Sequence, residues 1–123
     1  MTHPIPNLEN HFSNLGDKFS TAVQATAIAN PHWVIRNASL AQDLQLDLFG
    51  KQAGSFLAAF SGAQALPSSR PLAMVYAGHQ FGHYVSQLGD GRGLLLGEIA
   101  SADGRYDLHL KGAGPTPYSR MGD

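Results

Sequence analysis

The sequence contains no cysteine. Disulfides, thiolate metal sites and a cysteine nucleophile are excluded together, and such a composition suits a reducing compartment. It also lacks an excess of either charge: 8 Lys+Arg stand against 9 Asp+Glu, interspersed, for a formal net charge of −1. There is no basic surface of the kind that binds by counterion release, so nucleic acid is not an expected partner. No apolar run approaches the roughly 18 residues of a membrane span. The opening MTHPIPNLENHFSNLGDKF has neither the basic start nor the apolar core of a signal peptide. No membrane partner is expected, and the expected localisation is cytoplasmic. On that reading the sequon Asn37-Ala38-Ser39 is a chance match, because glycosylation needs secretion. What the chain does have is 43% hydrophobic residues in 123, enough for the core of one domain.

Residues 1–30 show no sustained period and read as an extended or poorly ordered arm. WVIRN at 33–37 has the composition of a short strand. In SLAQDLQLDLFG, Ser39 is a candidate N-cap with Gln42 three residues on, and Leu40 and Leu44 recur at helical spacing up to Gly50. KQAGSFLAAFSG places Phe56, Leu57 and Phe60 on one side before Gly62. Residues 31–70 are therefore expected to be a helical segment, closed by the Pro/Ser connector ALPSSRPLA. From residue 71 the pattern changes to strands. YVSQLG leads into Gly89-Asp90-Gly91-Arg92-Gly93, LLLGEIA leads out, and Asp103-Gly104 signals a tight hairpin. YDLHLK then alternates, with Tyr106, Leu108 and Leu110 on one face and Asp107, His109 and Lys111 on the other. Three strands and two tight connections predict an antiparallel meander with the glycine loop at one end.

The chemistry concentrates in that loop. Three glycines in five residues allow positive φ and close approach of a ligand, so that successive N–H groups can face phosphate oxygens. The same glycines can equally serve a hairpin that binds nothing. A Walker loop requires Gly-Lys-Ser/Thr and a dinucleotide loop opens a helix, whereas this loop runs into a strand. The remaining phosphate arrangement is that of protein kinases, a glycine loop between strands with a lysine on a later strand. Lys111, nineteen positions after Arg92 (111 − 92) and on the polar strand face, fits that place. HQFGH sets His79 and His83 at the spacing of two ligands on a helix, but the glutamate of a zinc-peptidase helix is missing and Gly82 weakens a helix. Packed or hydrogen-bonded histidines are the expectation there, with Tyr76, Phe81 and Tyr84 as core or pocket wall. The final KGAGPTPYSRMGD, with Arg120, can close over a ligand or connect to a further element.

YAGHQFGHYVSQLGDGRGLLLGE followed by DLHLKGAGPTPYSRMGD resembles the selenoprotein O family, kinase-like proteins that act as protein adenylyltransferases. NASLAQDLQLD and SFLAAFSG fit that family more loosely. The resemblance implies an α+β fold: the N-terminal part of a protein-kinase-like fold, with a helical front and, over 71–123, an N-lobe meander. It implies that ATP is held in a flipped orientation, so that AMP passes to a Ser, Thr or Tyr hydroxyl of a protein substrate and pyrophosphate leaves. Position by position, Gly89, Gly91 and Arg92 match the nucleotide loop, Lys111 the phosphate-contacting strand lysine, and Asp123 a further nucleotide contact. The family's catalytic aspartate and its Mg2+-binding asparagine and aspartate fall beyond residue 123, so the isolated segment is expected to be inactive and, lacking a second lobe, unstable or self-associating. Where kinases carry a small alanine two residues before the strand lysine, this chain has His109, which crowds adenine in the usual pose and agrees with the flipped one. A self-standing nucleotide- or phosphate-binding module and a non-catalytic interaction domain are the alternative readings.

Overall fold

The computed structural model describes residues 5–119. Its regular elements are a 3-10 turn at Phe12–Leu15, β1 (Ser20–Ala22), α1 (Ala38–Asp43), α2 (Ala53–Phe60), β2 (Leu72–Gln80), β3 (His83–Gly89), β4 (Gly93–Ser101) and β5 (Gly104–Lys111). The arrangement is α+β, a five-stranded antiparallel sheet with two short helices.

The helices form where the apolar spacing placed them, with different ends. Asn37, not Ser39, caps α1: its backbone is extended and its side-chain oxygen accepts from Leu40 N–H at 2.9 Å. Asparagine at this position satisfies one of the orphan N–H groups of the first turn. Asn37→Ala is expected to lower stability by about 1 kcal/mol, read from denaturant unfolding. The helix stops at Asp43 rather than running to Gly50, because Gln45 turns left-handed (φ 57°) and Leu46 N–H reaches back to Ala41 O at 2.8 Å. That is a Schellman closure, in which the chain satisfies the last carbonyls by leaving the helix. Ala41 and Leu46 then pack with Leu8, Phe56, Ala59, Leu66 and Ile99 in one core cluster.

Two expectations for the front of the chain fail. WVIRN forms no strand; Val34 and Ile35 are exposed, and the segment is fastened by Arg36, whose guanidinium donates to Leu48 O at 2.8 Å and lies over the rings of Trp33 and Phe49. The stretch read as a loose arm contains the 3-10 turn and β1, and it inserts Leu8 into the core at 5% exposure. Its backbone bridges β4 at Glu9 and Glu98, with N–H···O distances of 2.9 and 2.7 Å. The buried Glu98 carboxylate accepts from the N–H groups of His11 and Phe12 at the start of the 3-10 turn. Glu98 therefore uses its charge on orphan donors inside the fold.

The sheet departs from the expected meander. Its order is β1-β2-β4-β5, and β3 pairs with β2, not with β4. The first residues of β2 run between β1 (Ala22↔Leu72) and β4 (Leu72↔Leu95), and its remainder, from Val75 on, pairs with β3 in a ladder that shifts register between Tyr76 and Gly78. A strand of nine residues is long enough to serve different partners along its length. HQFGH is the turn of that β2–β3 hairpin and not a helix: Phe81 and Gly82 sit at φ 52° and 78°, His79 faces Tyr84, and Gln80 faces His83 across the ladder. Both histidines are exposed, as are Phe81 (92%) and Tyr84, so neither histidine is packed and neither aromatic is core. The hairpin expected at Asp103-Gly104 joins β4 to β5, with Ser101 opposite Gly104. β4 is buried from Gly93 to Ile99 and is the spine of the fold, with Leu94 and Leu96 packing beside Ala73 and Ala113, and Leu108 and Leu110 of β5 against them.

Candidate nucleotide site

Residues 90–92 carry the chain from the β3 ladder across to β4, and the neighbouring segments grip their carbonyl side. Asp90 O and Gly91 O accept from Thr116 Oγ1, Gly91 O also accepts from Ser119 Oγ, and Arg92 O accepts from Ala113 N–H at 2.8 Å. The gripping segment is itself tied down through Ala113 O to Thr26 N–H and through the hydroxyl pair Thr21 and Tyr118. In a trans peptide the N–H points opposite to the preceding C=O. The amides of Gly91 and Arg92 therefore point away from the 113–119 segment, and among the described residues neither donates to a protein acceptor.

The three glycines do not supply positive φ, contrary to expectation; the positive-φ glycines are elsewhere, Gly112 (φ 73°) being the one that lines the same pocket. Two of the three are small for lack of room. A Cβ on Gly89 would lie 2.8 Å from Met74 O and 2.9 Å from Tyr118 Cγ, and one on Gly93 would lie 2.6 Å from His109 Cε1. At Gly91 the nearest atoms would be 3.8 Å away, so packing does not require glycine there.

The β4–β5 register sets Lys111 opposite Gly93 and His109 opposite Leu95, bringing β5's polar face to the loop. Gly89, Asp90, Gly91, Arg92, Gly93, Tyr76, His109, Lys111 and Gly112 line one cavity of about 270 Å³. Four of the five residues singled out in the sequence, Gly89, Gly91, Arg92 and Lys111, thus meet in one pocket; Asp123 lies outside the described residues. Another cavity of about 310 Å³, between α2 and the sheet, is lined by alanines, Gln24, Gln64, Ser69 and Leu96 with no charged group to neutralise a polyphosphate.

Sequence reasoning missed Asp90. Its N–H donates to Met74 O and its Oδ2 accepts from Met74 N–H, both at 2.9 Å, so one residue pairs twice with β2 and anchors the loop. It is 8% exposed. Its Oδ2 stands 3.4 Å from His109 Nε2. Partial burial and the Asp90 carboxylate together hold the Tyr76 phenol above the ordinary tyrosine range, so Tyr76 stays protonated at neutral pH. The only signal in the sequence was an acid flanked by two glycines, which is also what a solvated turn looks like.

Residues 5–123 match the family described as "Protein adenylyltransferase SelO". The chain belongs to the SelO family. Among its relatives, "Protein nucleotidyltransferase YdiU" of Stutzerimonas stutzeri (strain A1501) is 50% identical over 118 residues, 95% of this chain and 24% of that protein. The protein of the same name from Marinomonas sp. (strain MWYL1) is 52% identical over 117 residues, and that from Azotobacter vinelandii 51% over 116, each covering 94% of this chain and 24% of the relative. The chain thus spans about a quarter of the length of these relatives. The family match takes in the front of the chain as well as the back, so the SelO segment includes the Leu8 insertion and the Glu9–Glu98 bridge along with the glycine loop. Among the described residues no group of three or more His, Asp or Glu is placed to hold a metal ion.

Proposed function

We propose that this chain is the nucleotide-holding N-terminal part of a kinase-like protein adenylyltransferase, which moves AMP from ATP to a Ser, Thr or Tyr hydroxyl of a protein and releases pyrophosphate. One observation carries the reading: Arg92 and Lys111 line a single pocket together with a glycine loop that has two unengaged backbone amides and whose carbonyls are held by the 113–119 segment. SelO membership, and relatives named protein nucleotidyltransferases, support it.

Phosphate-transfer chemistry asks a protein mainly for placement and for neutralisation of charge. The donor set suits a triphosphate. Arg92 offers a planar fork for two oxygens of one phosphate, and Lys111 a compact charge that can move between them. The amides add fixed dipoles that cost nothing to reorganise, because Thr116, Ser119 and Ala113 already hold the carbonyls. In the transfer the substrate hydroxyl oxygen bonds to the α-phosphorus and gives up its proton to a base, the bond from that phosphorus to the bridging oxygen of the β-phosphate breaks, and the electron pair leaves with pyrophosphate. Arg92 and Lys111 meet that leaving charge. Mg2+ bound with the nucleotide would supply further neutralisation, and the resemblance puts its ligands and the catalytic aspartate after residue 123.

The test is the fate of label in the full-length polypeptide that carries this segment. ATP labelled at the α-phosphate is expected to label protein covalently, and ATP labelled at the γ-phosphate is not. Label transferred from the γ-position would make the protein a kinase and overturn the reading.

A further inference from the structure

We propose that His109, steered by Asp90, is a phosphate ligand of this pocket and takes up a proton when a nucleoside triphosphate binds. The inference rests on the nucleotide reading above and adds a residue and a proton to it.

The ring has a built seat. Its Cε1 lies where a side chain at position 93 would go, so Gly93 is small because the imidazole occupies that space. Its Nε2 faces the Asp90 carboxylate at 3.4 Å. A lone pair on Nε2 would be repelled by that carboxylate, so the N–H sits on Nε2 and the remaining nitrogen, Nδ1, has no partner among the described residues. His109 shares a strand face and the same cavity with Lys111, two residues on, which places the ring about one strand repeat, roughly 7 Å, from the lysine.

With its N–H on Nε2, neutral imidazole keeps a lone pair on Nδ1, which would repel a phosphate oxygen that approached it. Protonation converts that lone pair into a charge-assisted N–H donor. The charged and titratable groups around the ring are Asp90 and Arg92 from the loop, Tyr76 from β2, and Asp107 and Lys111 from its own strand face. Arg92 and Lys111 oppose a charged ring and Asp90 and Asp107 favour it, while Tyr76 is neutral. A triphosphate in the cavity that the ring lines adds several negative charges near it, and the balance moves toward imidazolium.

Mg-ATP binding to the full-length polypeptide, measured by calorimetry at pH 7 in buffers of low and high ionisation enthalpy, reads the protons exchanged. Wild type is expected to take up more protons per nucleotide than His109→Gln, by up to about one, because a neighbouring phosphate favours the charged imidazole. Protons exchanged by ATP itself cancel in that difference. Gly93→Ala, which keeps the imidazole but fills its seat, is expected to reduce the uptake as well and gives the comparison even if His109→Gln fails to fold. Equal uptake in wild type and both variants, with binding intact, overturns this inference and leaves the nucleotide reading standing. Absence of Mg-ATP binding in wild type overturns that reading too.

Discussion

Lys111→Ala in the full-length polypeptide is expected to lower AMP transfer by about 10²- to 10³-fold, the loss seen when one preorganised charge-stabilising donor is removed from a reacting centre. Its unfolding midpoint is expected to stay where it was. The two halves of this result have separate physical origins. Lys111 ends β5 with its residue exposed, and among the described residues its ammonium has no hydrogen bond or ion pair, so the fold gives up little when it goes. Its register opposite Gly93 nevertheless holds it beside the loop that the leaving phosphates would face. Comparing kcat/KM with the denaturation curve separates the cases. Wild-type activity in the variant would remove the assigned role, and a large fall in stability would make the lysine structural.

Asp90→Ala is expected to show the opposite pattern at first sight, a loss of about 1.5–3 kcal/mol of stability together with weakened nucleotide binding. Met74 N–H loses a charged, buried acceptor, and a hydrogen bond of that kind contributes in this range. The reciprocal bond from Asp90 N–H to Met74 O survives in principle, but it no longer has its partner to fix the geometry. Asp90→Asn keeps an oxygen that can accept from Met74 and is expected to recover most of the stability. Denaturant unfolding of the three proteins checks this, and an Asp90→Ala variant as stable as wild type would show that Thr116 and Ser119 alone hold the loop.

The same residue explains why the site was only partly legible. Gly91, Arg92 and Lys111 could be read as phosphate-binding types at a kinase-like spacing, because that chemistry depends on local composition and on which strand face a residue occupies. Asp90's role depends on Met74, sixteen residues away on another strand, and no local pattern encodes that choice. His109 lay between the two cases. Its face was readable from alternation, whereas its seat over Gly93 came from the β4–β5 register.

The amino-acid sequence by itself determined the elements whose cause is local: the Asp103-Gly104 hairpin, the alternation of β5, the helical spacing around Phe56 and the grouping of cations with glycines. Turn chemistry and periodicity act over a few residues and do not wait for a partner. Only the tertiary structure decided that β3 pairs with β2, that Leu8 and Glu9 fold back onto the core and β4, and that WVIRN remains unpaired. Each of these is a competition between distant segments for hydrogen-bond edges and apolar cover, and its outcome depends on the whole chain at once.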